Sequence, residues 1–127
     1  MNFSGFFFDL DGTLINSMDN HYLSWNQIIN NEFNFELDRK EFMLTEGPKM
    51  EILINDFLSY QGINVEINIL NKLIELKNIH YEKNSKIKFY PNVINTLHYL
   101  KKNKKKISLV TGGSKRRITR TLKSDFL

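Results

Sequence analysis

The chain contains no cysteine, which excludes disulfides, thiolate zinc sites and a cysteine nucleophile. Alanine is absent too, against an abundance of Asn, Lys and Ile, a compositional bias that says nothing of function. No segment approaches the roughly 18 to 20 uninterrupted apolar residues of a membrane helix, so no membrane association is expected. Asp9 and Asp11 interrupt the N-terminal apolar run, which also lacks a basic flank. No secretory leader is therefore expected, and a cytoplasmic protein is the default. What remains is ordinary: 127 residues, 41% hydrophobic and 25% charged. That balance suits one soluble globular domain, or one domain carrying an insertion.

The net charge of +4 is mildly basic and locally concentrated, with five lysines among Lys101 to Lys106. A strand-like run follows at once and no aromatic residue interleaves the lysines. They read as a helix C-terminus, where cations complement the helix dipole, followed by a solvated turn. Nucleic acid is not expected as a partner.

Phe3 to Phe8 has the short, apolar, aromatic-rich form of a strand, and its lack of alternation predicts burial on both faces. Helical periodicity begins after Ser17, a candidate N-cap, with Met18, Tyr22, Trp25 and Ile28 or Ile29 on one side. Asp38 with Glu41 has the form of a capping box opening a short helix. Gly47-Pro48 opens the next helix, whose stripe is Met50, Leu53, Ile54, Phe57 and Leu58 and whose end is Gly62. A further helix is predicted from Val65 to about Lys83, with Ile69, Leu70, Leu73, Leu76 and Ile79 or His80 along it. Tyr90-Pro91 precedes a helix from about Asn92 to Asn103. A second apolar strand, Ile107 to Val110, ends at Thr111-Gly112-Gly113, and a last helix starts near Ser114. Two parallel-type strands thus bracket a long helical stretch. The pattern predicts an α/β core, residues 1–16 and 85–127, interrupted by a helical insertion over 17–84.

Ligands of open α/β sheets bind outside the carboxyl ends of the strands. Both such ends are polar here. Asp9 and Asp11, two apart in nearly extended chain, aim to the same side. Carboxylates so close repel, so either one holds its proton or a cation sits between them. A hard cation such as Mg²⁺ suits these oxygens. One carboxylate can also act as nucleophile while the other moves protons. Gly12-Thr13 allows the chain to reverse. Across the gap, the Thr111 hydroxyl, the Gly112 and Gly113 amides and the following helix N-terminus suit a phosphate.

These strings resemble a known family. FFFDLDGTL resembles motif I of the haloacid dehalogenase (HAD) superfamily, and SLVTGG resembles its motif II. The helical insertion is similar to that superfamily's C1 cap. Asn16-Ser17, His21, Trp25, Gly47 and Tyr90-Pro91-Asn92-Val93 resemble the β-phosphoglucomutase/phosphoglycolate phosphatase-like subgroup. The resemblance implies a partial Rossmann-like core with an inserted helical cap. It implies Asp9 as nucleophile, Asp11 as general acid and base, and Mg²⁺ on the Asp9 carboxylate and the Asp11 main-chain carbonyl. Thr111 and Gly112 would hold the phosphoryl oxygens, with His21 and Lys49 as cap residues toward substrate.

The family also has a motif III lysine and a motif IV acidic pair, which this sequence does not contain. Lys115, Arg116 and Lys123 stand too close to Thr111 to replace the lysine, and Asp125 alone does not replace the pair. The core of the family has further strands as well. The expectation is therefore an N-terminal part of a longer chain, or a chain that pairs with a complementing one. Three functions are compatible: an Mg²⁺-dependent phosphatase on a small phosphorylated metabolite, a sugar phosphomutase, or a non-catalytic binding remnant of the fold. His80 and His98 have no partner pattern and are assigned no role.

Overall fold

A computed structural model describes residues 3–45, 50–113 and 115–123. The chain divides into two compact units, Met1–Met18 with Lys86–Leu127, and Asp19–Ser85. The described elements run β1 (Gly5–Phe8), α1 (Met18–Phe33), α2 (Arg39–Leu44), α3 (Met50–Tyr60), α4 (Ile67–Asn84), α5 (Val93–Lys102), β2 (Lys106–Leu109) and α6 (Lys115–Lys123). The α/β class expected from the sequence is the class observed.

In the first unit, β1 and β2 pair in parallel with Phe6 opposite Ile107 and Phe8 opposite Leu109. Helix α5 packs against β2, and its last turn carries Lys101 and Lys102. Asn103 and Lys104 then form the turn into β2. The lysine run thus spans a helix end and a turn, as its charge pattern predicts, and its last member, Lys106, opens β2. The core of this unit forms around Leu10, Leu14 and Ile15, all buried, with Phe8, Ile87, Phe89, Val93, Leu109, Ile118 and Leu122 against them. The expectation of a first strand buried on both faces is corrected. Phe6 and Phe8 are half-buried, but Phe7 is 78% exposed and Val110 is 61% exposed. Among the described residues the sheet has two strands, and nothing covers the face that carries Phe7. An apolar run therefore behaves as an alternating strand with one wet face.

The second unit holds most of α1 together with α2, α3 and α4. Its buried side chains include Trp25, Ile29, Phe42, Ile54, Leu58 and Leu73. Asp38 caps α2 by accepting from the Glu41 amide at 2.7 Å, one of the two bonds a capping box predicts. Helix α3 ends in a Schellman motif: the Gly62 amide reaches the Ser59 carbonyl at 2.9 Å and the Ile63 amide the Leu58 carbonyl at 2.8 Å. Gly62 has φ +74°, a conformation that glycine adopts without strain. Gly47 and Pro48, the predicted opening of that helix, lie outside the described residues.

Helix α4 keeps most of its predicted stripe, with Leu73 buried and Leu70, Leu76 and His80 half-buried. Leu73, Lys77 and Tyr81 are the buried set, whereas Ile69 and Ile79 are exposed. The inward stripe follows i, i+4, i+8 from Leu73 and runs through a lysine. Ser17, the candidate N-cap, donates its hydroxyl to Asp11. No described helix is long and apolar enough to cross a membrane.

Candidate active site

The Val110 amide donates to the Phe8 carbonyl at 2.8 Å, extending the ladder one bond past the paired residues. That bond sets the two strand ends level, so Asp9 leaves β1 alongside the start of the Thr111-Gly112-Gly113 loop. Asp9 is exposed. After it the chain turns tightly around one carbonyl. The Leu10 oxygen accepts from the amides of Leu14 and Ile15, each at 3.0 Å, and the Gly12 amide reaches the Ile15 carbonyl at 2.9 Å. Gly12 has φ +78°, which an L side chain resists. The loop is then tied down from its far side: Asn16 donates to Lys88 at 2.8 Å and Tyr90 to Leu14 at 3.1 Å. The same string that supplies the carboxylates therefore supplies the apolar plug, Leu10, Leu14 and Ile15, that fixes their loop.

Asp11 is held by side chains on both oxygens. Ser17 Oγ donates to Oδ1 at 2.6 Å. Arg117 Nη1 donates to Oδ1 at 3.0 Å, and Nη2 to Oδ2 at 2.5 Å. The arginine and aspartate side chains keep only 12% and 22% of their exposure. This is a forked guanidinium–carboxylate pair, the geometry that makes arginine bind carboxylates and phosphates tightly. On the opposite side of the gap, Thr111 is half-buried and Gly112 exposed, with open space beside the Gly112 Cα. The Gly113 amide, one of the donors expected for an anion, donates instead to Thr111 Oγ1 at 3.1 Å. Ser114 lies outside the described residues.

Asp9, Asp11, Thr111 and Gly112 thus belong to one unit and to two adjacent strand ends. His21 belongs to the second unit, where it is buried and stacked on Tyr81 with ring centroids 4.5 Å apart. Lys49 lies outside the described residues. Sequence reasoning passed over two residues. Lys77 is buried, its Nζ 5.6 Å from the Trp25 ring centroid and 5.3 Å from that of Tyr81. Its signal was present, a lysine four residues from both Leu73 and Tyr81. Arg117 was the third of three adjacent basic residues, and sequence alone does not say which of the three turns toward Asp11. His80, given no role, has Nδ1 3.1 Å from Ser24 Oγ.

For a divalent cation, no group of three or more His, Asp or Glu gathers among the described residues. The donors at the strand end are oxygens: the solvent-facing Asp9 carboxylate and the Asp11 main chain. Mg²⁺ is commonly held by one or two carboxylates while keeping several waters, so this small oxygen set fits it.

The fold and these strand ends define an α/β protein with two aspartates, Asp9 and Asp11, after one strand and a Thr-Gly-Gly loop after the next. The model of the haloacid dehalogenase-like hydrolase family matches residues 6–125, and the chain belongs to that family. No curated protein matches it. Among solved structures, a predicted phosphoglycolate phosphatase from Haemophilus somnus superposes with a TM-score of 0.83 at 23% identity, covering 96% of this chain and 57% of its own. A hydrolase from Pseudomonas syringae has a TM-score of 0.78 at 27% identity, covering 98% and 57%. A provisional beta-phosphoglucomutase from Bacteroides vulgatus has a TM-score of 0.75 at 27% identity, covering 94% and 50%. The chain spans about half the length of these structures.

Proposed function

We propose that the chain carries the nucleophile-bearing part of a phosphoric monoester hydrolase that acts on a small phosphorylated metabolite. One Asp9 carboxylate oxygen attacks phosphorus, the bond from phosphorus to the ester oxygen breaks, and Asp11 gives the leaving oxygen its proton. Asp11 then takes a proton from water, whose oxygen attacks the aspartyl-phosphate, releasing phosphate and restoring Asp9. Thr111 and the Gly112 amide hold the phosphoryl oxygens. The Asp9 carboxylate and the Asp11 main-chain carbonyl would hold Mg²⁺, which supplies charge neutralisation when bound. Residues 17–84 serve as a cap of the C1 type within a core of 1–16 and 85–127.

The observation that supports this reading most is the levelling of the two strand ends, which sets Asp9 beside the Thr-Gly-Gly loop. Phosphoryl transfer asks mainly for positioning and charge neutralisation, and two adjacent strand ends can provide both. Incubation with acetyl phosphate and Mg²⁺, followed by peptide mapping, tests it. Slow phosphorylation of Asp9, lost in Asp9→Asn, is expected; label elsewhere, or none, overturns the reading. A polypeptide of these 127 residues alone is expected to turn over little p-nitrophenyl phosphate, for want of a partnering lysine and acidic pair. Turnover that disappears in Asp9→Asn would contradict that expectation.

A second reading, a sugar phosphomutase, is supported by the similarity to the provisional beta-phosphoglucomutase from Bacteroides vulgatus; His21, the cap residue expected toward substrate, is buried and stacked on Tyr81. A mutase interconverts sugar-phosphate isomers when primed with a bisphosphate, whereas a phosphatase releases inorganic phosphate.

A further inference from the structure

Arg117 is the third residue of α6, and its guanidinium does two things at once. It forks onto Asp11 through Nη1 and Nη2. It also fills the space over Gly113, where an added Cβ would stand 2.2 Å from Nη2 and 3.0 Å from Cζ. The guanidinium is therefore wedged between the turn that follows β1 and the loop that follows β2. That gap is where the phosphatase reading puts the phosphoryl group. A guanidinium fork fits two phosphate oxygens as well as two carboxylate oxygens, and a dianion attracts it more strongly than a monoanion.

We propose that Arg117 is a phosphate ligand of this site, whose fork passes from the Asp11 carboxylate to a bound phosphate dianion. The inference rests on the phosphatase reading for the location of that dianion. It assigns the ligand a charge and a shape: two oxygens of a terminal phosphoryl group, presented edge-on to the fork. It also gives the aspartate a conditional role. While Arg117 holds both Asp11 oxygens, neither is available to a leaving group. When phosphate takes the fork, Asp11 keeps Ser17 as its donor and its second oxygen is released toward the ligand. Gly113 belongs to the device because only the missing side chain there leaves room for the guanidinium. Lys115 and Arg116, the preceding cations of the helix, are exposed.

The test is a titration of the full 127-residue chain with inorganic phosphate, followed calorimetrically and by the Arg117 Nε–H NMR signal. Arg117→Gln is expected to weaken binding about ten-fold or more, the value of a charge-assisted bond. Arg117→Lys, which keeps the charge but not the fork, is expected to recover part of that loss. The Arg117 Nε–H signal of the unsubstituted chain is expected to move with phosphate, which decides the matter even where a variant fails to fold. Thr111→Val separates the inference from the reading beneath it. Binding weakened by Thr111→Val but unchanged or tightened by Arg117→Gln, with a stationary Nε–H signal, overturns the inference and leaves the reading intact. Binding indifferent to both substitutions, or absent from the unsubstituted chain, overturns both.

Discussion

Ser17 gives its hydroxyl proton to Asp11 Oδ1 at 2.6 Å, the same oxygen that Arg117 Nη1 reaches at 3.0 Å. The bond joins the residue just before α1 to the turn after β1, and Ser17 is only 2% exposed. Removing the hydroxyl leaves a partly buried carboxylate with one donor fewer. Ser17→Ala is expected to destabilise the chain by about 1–2 kcal/mol, with Ser17→Thr close to unchanged, measured as urea midpoints.

Gly113→Ala should act through a side chain rather than through the backbone. The new Cβ would stand 2.2 Å from Arg117 Nη2, and a long side chain yields more readily than a loop. The fold is expected to persist, with its thermal midpoint little moved. The forked pair with Asp11 should be lost, and the Arg117 Nε–H signal should take the same position with and without phosphate.

Lys77 tests the interior of the second unit. Its stem is buried and its ammonium stands over Trp25 and Tyr81. Lys77→Ala removes both the stem's packing and the cation–ring attraction, at an expected cost of about 2–3 kcal/mol. Lys77→Met keeps a stem of similar length, so its thermal midpoint is expected to lie between those of the unsubstituted chain and the alanine variant.

Two residues three apart near β1 should differ sharply. Leu10 is 0% exposed at the centre of the first unit's core, and Phe7 is 78% exposed. Leu10→Ala is expected to cost about 2–5 kcal/mol and to loosen the Asp11 turn. Phe7→Ser should fall within about 0.5 kcal/mol of the unsubstituted chain, and the smaller apolar surface should raise its solubility.

Much of the local structure was legible in the sequence. Gly12 and Gly62 take a positive φ at a turn and at a helix end, as glycine there suggests, and Asp38 caps the helix it was expected to cap. Trp25, on the predicted apolar side of α1, is fully buried. Each of these depends on residues within a few positions of one another, through backbone torsion, a side-chain cap or a periodic apolar face. The exposure of β1 was not legible, because FFF reads as buried whether or not a layer lies over it. Nor was the place of Lys77 in the buried face of α4, where a lysine interrupts the apolar residues that periodicity counts.

By itself the sequence determined the turns, the helix ends, the carboxylates placed after the first strand and the small residues placed after the second. Tertiary structure alone decided which cation meets Asp11. Arg117 is 106 residues away, and three basic residues stand side by side at the start of α6. The choice among them depends on the rotational phase of a helix, on the parallel register of β1 with β2 and on the space left over Gly113. None of these is a property of neighbouring residues. A local pattern can place charges at a strand end, but pairing across the sheet decides which of them touch.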